Sequence, residues 1–121
     1  AHQTFEPGGR AIILFDMNCT HSPAALDDAA IAQGLAQLDA WAIVDGKLQR
    51  RFKFKDYHET MEFVNALAYM THRQDHHPDL TVTYNSCTAS YITHSAGNKL
   101  TANDFICAAR ADVLYAQRAG A

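Results

Sequence analysis

Three of the chain's seven histidines fall within six residues, in the run His72-Arg73-Gln74-Asp75-His76-His77, and Pro78 follows directly. A fourth, His94, stands seventeen residues beyond His77. Imidazole titrates at about pH 6.5, so clustered histidines can supply both a proton donor and a proton acceptor near neutrality. They can also ligate a metal: His72 and His76 are four apart and would share one face of a helix. A third reading needs no chemistry, because the C-terminal end of a helix attracts His, Lys and Arg through its dipole.

The spacing argues against the metal. In the zinc-peptidase pattern a glutamate follows the first histidine and acts as base. Here that position is Arg73, a poor neighbour for a dication, and a third ligand would have to come from elsewhere in the chain. Adjacent helical side chains diverge by about 100°. His76 and His77 can still face one cleft if the chain leaves the helix at this point, and Pro78 favours that exit by pushing the residue before it out of the α region.

The elements that must position these groups are readable. Ser22-Pro23 resembles an N-cap followed by proline at the first helical position, which predicts a helix from Pro23 to Leu38. Asp45-Gly46, inside "WAIVDGKLQRRFKF", signals a tight hairpin, and Leu48, Arg50, Phe52 and Phe54 alternate as in a half-buried strand. "DYHE" at Asp56 to Glu59 reads as a capping box opening a helix. Its apolar rows run through Tyr57, Met61, Val64 and Ala68 and through Phe63, Leu67 and Met70, and the helix should end near Asp75.

"LTVTY" and "CTASYITH" then form a second hairpin through Asn85-Ser86. "TAND", Thr101 to Asp104, is another capping box opening the last helix. The order α-β-β-α-β-β-α predicts an α+β fold, a four-stranded antiparallel sheet with three helices packed on one face. The hairpin of residues 80–84 and 88–93 returns the chain, so His94 should lie beside the start of its partner strand. That places His76, His77 and His94 at one rim.

The 121 residues suit one domain, taken as residues 22–121 behind an extension, residues 1–21, in which "AIILF" reads as a short strand or a strap. The composition is 48% hydrophobic and 19% charged with net charge −3, and no basic stripe suggests nucleic acid. The three cysteines, Cys19, Cys87 and Cys107, are odd in number and lack a CxxC pair, so neither a disulfide framework nor a cysteine-zinc site is expected. A reduced, cytoplasmic setting follows from that usage. "AIILF" is far too short to span a membrane.

The run His72-Arg-Gln-Asp-His76-His77-Pro78-Asp-Leu80, the later His94 and Asp104, the upstream "GKLQRRFKFKDYHETMEFVNALA" and Trp41 together resemble the pterin-4a-carbinolamine dehydratases over residues 23–118. The resemblance implies loss of water from a 4a-hydroxytetrahydropterin to give the quinonoid dihydropterin, in recycling of tetrahydropterin after aromatic amino acid hydroxylation. It implies histidine acid–base catalysis with no metal and no cofactor.

His76, His77 and His94 become the catalytic candidates, with His76 and His94 as the acid–base pair and His77 holding substrate. Asp75, Pro78, Trp41, Thr93, Asp104 and His72 become binding or orienting candidates. The family also implies a homodimer or homotetramer, and in animals the same fold serves as a dimerisation cofactor for a homeodomain transcription factor. A non-catalytic binding module is therefore the alternative, with a metal-dependent hydrolase behind it. Two positions depart from the family pattern: Leu80 stands where an aromatic residue is common, and His72 where an acidic one is usual. The N-terminal segment has no counterpart in the pattern.

Overall fold

A computed structural model describes residues 14–118. Seven elements follow in order: α1 (Asp28–Leu35), β1 (Ala42–Val44), β2 (Lys47–Lys53), α2 (Tyr57–Gln74), β3 (Asp79–Val82), β4 (Ser86–Tyr91) and α3 (Ala102–Ala116). A short 3-10 turn, Leu14–Asp16, precedes them, and a second, His94–Ala96, separates β4 from α3. The strands form one antiparallel sheet in the order β1-β2-β4-β3, so the expected α+β architecture is present.

The register explains the core. Leu48 pairs with Tyr91, Arg50 with Ala89 and Phe52 with Cys87, and alternation puts all six on the helix-covered face. Leu48, Phe52, Cys87, Ala89 and Tyr91 are fully buried there, against Phe63 and Leu67 of α2 and Phe105, Ile106 and Ala108 of α3. Arg50 shares this face because Asp112 of α3 meets its guanidinium at 2.8 Å, while the cation lies 4.5 Å over the Phe52 ring.

The turn signals mostly hold. Asp45 and Gly46 both take positive φ, 51° and 79°, as the tight hairpin requires. Asp56 caps α2 by accepting the Glu59 amide at 2.9 Å. Glu59 reaches back one residue further than a capping box would, to the Lys55 amide at 3.2 Å.

Both bounds of the first helix and the end of β4 differ from the sequence reading. The first helix starts at Asp28, capped by Asp27 rather than Ser22. Pro23 to Leu26 stay outside it because the Leu26 amide bonds the Leu100 carbonyl at 2.9 Å, tying this stretch to the loop before α3. The helix also ends earlier than Leu38, at Leu35.

α2 ends where the sequence places it, at Gln74 with Asp75 as its C-cap, but the residue that stops it is Asp75 rather than Pro78. Asp75 adopts the left-handed conformation (φ 55°, ψ 41°), and the His76 amide bonds back to the Thr71 carbonyl at 3.1 Å. Pro78 then leads directly into β3. Lastly, β4 ends at Tyr91, so His94 does not close a strand but opens the 3-10 turn after the Thr93–Lys99 bridge.

Candidate active site

Leaving α2 through a left-handed residue separates the paired histidines. His76 turns inward, its side chain 11% exposed, and stacks on the Tyr91 ring at 5.7 Å and 15°. His77 is exposed and lies beside His72, ring centroids 6.0 Å apart. His72 therefore shares its surroundings with His77 rather than with His76, although the latter is its helix-face neighbour in spacing. Among the described residues no three His, Cys, Asp or Glu side chains are grouped to hold a metal ion.

His76 meets a fully buried carboxylate. Its Nε2 lies 2.5 Å from Oδ1 of Asp104, which is 0% exposed. Asp104 is placed by the capping box of α3: its Oδ2 accepts the Thr101 amide at 2.9 Å. The same oxygen accepts the Thr93 hydroxyl at 2.9 Å, and the Thr93 and Thr101 hydroxyls are 2.7 Å apart. Thr93 spends its hydrogen on Asp104, so Thr101 donates to Thr93. A carboxylate fed in this way accepts from Nε2 as well, which leaves Nδ1 of His76 as the nitrogen free to accept a proton.

His94 has the mirror arrangement. It is exposed, and its Nδ1 lies 2.7 Å from Oδ1 of Asn98. Asn98 can bend back because it takes positive φ, 60°, after Gly97 at 75°. The amide oxygen accepts from Nδ1, so Nε2 is the free nitrogen. Pairing of Asp79 with Ser90 sends both chain ends out of the same end of the sheet: His76 and His77 lie three and two residues before Asp79, and His94 four after Ser90.

A cleft of about 380 Å³ opens beside His76. Arg73, Asp75, His76, Thr93, Ser95 and Asn103 line it together with the segment from Cys19 to Pro23. His77 and His94 are not among its lining residues. Pro78 is half-buried between His77 and the start of β3. Trp41 lies away from the cleft, buried, with Nε1 donating to Asp112 at 2.7 Å. Its ring lies 6.2 Å from that of Tyr91, which stacks on His76. Burial pushes the Tyr91 phenol well above its ordinary value of 10.0, so it remains protonated behind His76.

Several site features were not read from the sequence. Tyr91 follows the strand alternation, and nothing local in the sequence marks it as the platform for His76. Asn103 sits inside the recognised "TAND" box, and its side chain clasps Thr20 in both directions, at 3.0 and 2.9 Å. The wall from Cys19 to Pro23 carries no periodic signal, because polar bonds to distant residues hold it: the Cys19 amide to Gln74 at 2.8 Å, and Arg110 to the Met17 carbonyl at 2.7 Å.

The fold is a small α+β arrangement that holds a half-buried histidine against a buried carboxylate. A family model described as pterin 4 alpha carbinolamine dehydratase matches residues 24–114. The chain belongs to that family, which is a family of hydro-lyases. A protein of Nitrosospira multiformis bearing the name of this dehydratase is 46% identical over 97 residues, covering 80% of this chain and 85% of the relative. One of Chromobacterium violaceum with the same name is 45% identical over 104 residues, covering 84% and 95%. The crystal structure of a transcriptional coactivator/pterin dehydratase from Brucella melitensis superposes with a TM-score of 0.71 at 31% identity, covering 75% of this chain and 98% of that one. Among the described residues no helix is long and apolar enough to cross a membrane.

Proposed function

We propose that this chain dehydrates a 4a-hydroxytetrahydropterin to the quinonoid dihydropterin, with His76 and His94 as the acid–base pair. The observation that carries the reading is His76 braced through Nε2 by the buried Asp104 at the wall of an open cleft. Hydroxide leaves poorly, so one imidazolium protonates the C4a oxygen and water departs as the C–O bond breaks. The N5 lone pair closes the N5–C4a double bond, and the N5 proton passes to the other imidazole. Proton gain and loss balance between the two histidines, and no electron leaves the substrate.

Asp104 and Thr93 hold His76 in one tautomer, and Asn98 does the same for His94. Asp75 bounds the substrate within the cleft, and His77, Pro78 and His72 bound it from the surface outside the cleft, with Trp41 supporting Tyr91 from behind. The chain works as a homo-oligomer in the cytoplasm and needs no cofactor.

The test is the dehydration of freshly made 4a-hydroxytetrahydropterin, followed by absorbance with and without EDTA. A rate above the spontaneous one, unchanged by EDTA, is expected. Loss of rate in EDTA would remove the metal-free mechanism. A rate no faster than the spontaneous one would favour a binding module, a reading supported by the coactivator half of the name borne by the Brucella melitensis structure.

A further inference from the structure

The acid–base chemistry makes no use of two thiols that the fold brings together. Cys19 Sγ lies 3.6 Å from Cys107 Sγ, across 88 residues of sequence. Each has a weak carbonyl contact besides: Cys19 with Asn103 at 3.6 Å, and Cys107 with the carbonyl of His76 itself at 3.8 Å. Cys19 is half-buried and lines the His76 cleft, whereas Cys107 is fully buried in α3. One sulfur can therefore meet a small oxidant from the cleft, and the other waits behind it.

Cys19 also belongs to the segment that lines the His76 cleft, and its amide donates to Gln74 Oε1 at 2.8 Å. The segment from Met17 to Thr20 is held to α2 and α3 by hydrogen bonds with Gln74, Asn103 and Arg110, and Met17 and Cys19 also pack against the core. Thr20, His21, Ser22 and Pro23 continue this segment along the lining of the cleft. We propose that Cys19 and Cys107 are a peroxide-sensitive dithiol that closes to a disulfide and pins this segment across the His76 cleft. The gating half of this proposal rests on the dehydratase reading; the linkage half does not.

The oxidant is a hydroperoxide, with hydrogen peroxide as the probe. Cys19 sulfur attacks one peroxide oxygen, the O–O bond breaks, and the departing oxygen takes up the thiol proton and leaves as water. Cys107 sulfur then attacks the Cys19 sulfenic acid, and hydroxide departs with the Cys107 proton as a second water. The two sulfurs lose one electron each, and one peroxide becomes two waters. The hydrogen bond to Cys19 and then burial hold the Cys107 thiol far above its ordinary value of 9.0, so Cys107 is not the first to react; the largest of these causes goes once Cys19 is oxidised. Burial pushes Cys87 up to about 11, and it stays out of the reaction.

The experiment treats the full chain with hydrogen peroxide, alkylates it under denaturing conditions and maps the peptides without reduction. A Cys19–Cys107 linked pair lacking two hydrogens is expected, with Cys87 alkylated and no link in Cys19→Ser. Free, alkylated Cys19 and Cys107, or Cys19 oxidised to the sulfinic acid without a link, would overturn the proposal. Amide hydrogen exchange at Thr20 and its neighbours should slow on oxidation and recover with dithiothreitol, and unchanged exchange would overturn the pinning.

For the gating, each protein is compared with itself. The ratio of oxidised to reduced turnover should fall in wild type and stay near one in Cys19→Ser; a fully linked wild type with unchanged turnover would overturn it. The linkage and exchange results need no substrate, so they stand or fall separately from the dehydratase reading.

Discussion

Asp104 touches His76 Nε2 at 2.5 Å while accepting the amide of its own helix cap, Thr101, at 2.9 Å. One buried carboxylate therefore starts α3 and fixes an imidazole that leaves α2. The helix cap and the site are the same group, so the cost of burying the carboxylate is offset by three donors rather than one.

Asp104→Asn separates the two duties. The amide oxygen can still accept from Thr101, but the charge facing His76 is gone. Turnover should fall by roughly 10²-fold, on the scale of one acid–base group. Stability should fall by about 1–3 kcal/mol, from imperfect pairing of buried polar atoms. Steady-state rates across pH, with urea melts, check both: a pH–rate profile of unchanged shape at wild-type rate would leave Asp104 with capping alone.

His77 and His94 should differ in kind. His94→Ala should lower kcat, because a proton-transfer group is lost, while His77→Ala should chiefly raise KM, because a binding contact is lost. Separate kcat and KM values for the two variants read this directly, and a reversed pattern would exchange their roles.

Gly34→Ala should destabilise the fold. A Cβ there would stand 2.6 Å from Cδ1 and 2.8 Å from Cε1 of the Phe105 ring, which is itself buried in α3. The gain in helix propensity is at most about 1 kcal/mol. Overpacking a core ring costs about 1–3 kcal/mol. A lower urea midpoint is expected, and a raised one would mean that the α1–α3 contact gives way freely.

Asp112 should impose a pH dependence on stability. Burial raises its carboxyl above the ordinary 3.8, outweighing the opposing bonds from Trp41, the Asp39 amide and Arg50. A raised folded value means that the folded state holds the proton longer than the unfolded chain. The group's contribution is therefore full below 3.8 and is lost as pH rises through the raised value. Urea melts of wild type and Asp112→Asn along a pH series should show the wild type losing ground to the variant over that interval, then running parallel. A difference that grows in the wild type's favour would contradict the sign.

What the sequence disclosed depended on how local each cause was. The α2 boundaries were legible because Asp56 and the residues before Pro78 act within one turn of the chain, although the left-handed Asp75 does the stopping. "TAND" announced the cap of α3, but nothing in it says that Asp104 also faces His76, twenty-eight residues away. Ser22-Pro23 mimicked a helix start that a long-range bond, Leu26 to Leu100, prevents. The wall from Cys19 to Pro23 was illegible for the same reason, since its partners lie on α2 and α3 and it has no period of its own.

Dehydration of freshly prepared 4a-hydroxytetrahydropterin by wild type and by His76→Ala bears on the centre of the matter, the braced imidazole as the acid–base group. Wild type should exceed the spontaneous rate, and His76→Ala should fall by roughly 10²–10⁴-fold with its fold intact by circular dichroism. A folded His76→Ala protein turning over at a near-wild-type rate would contradict it.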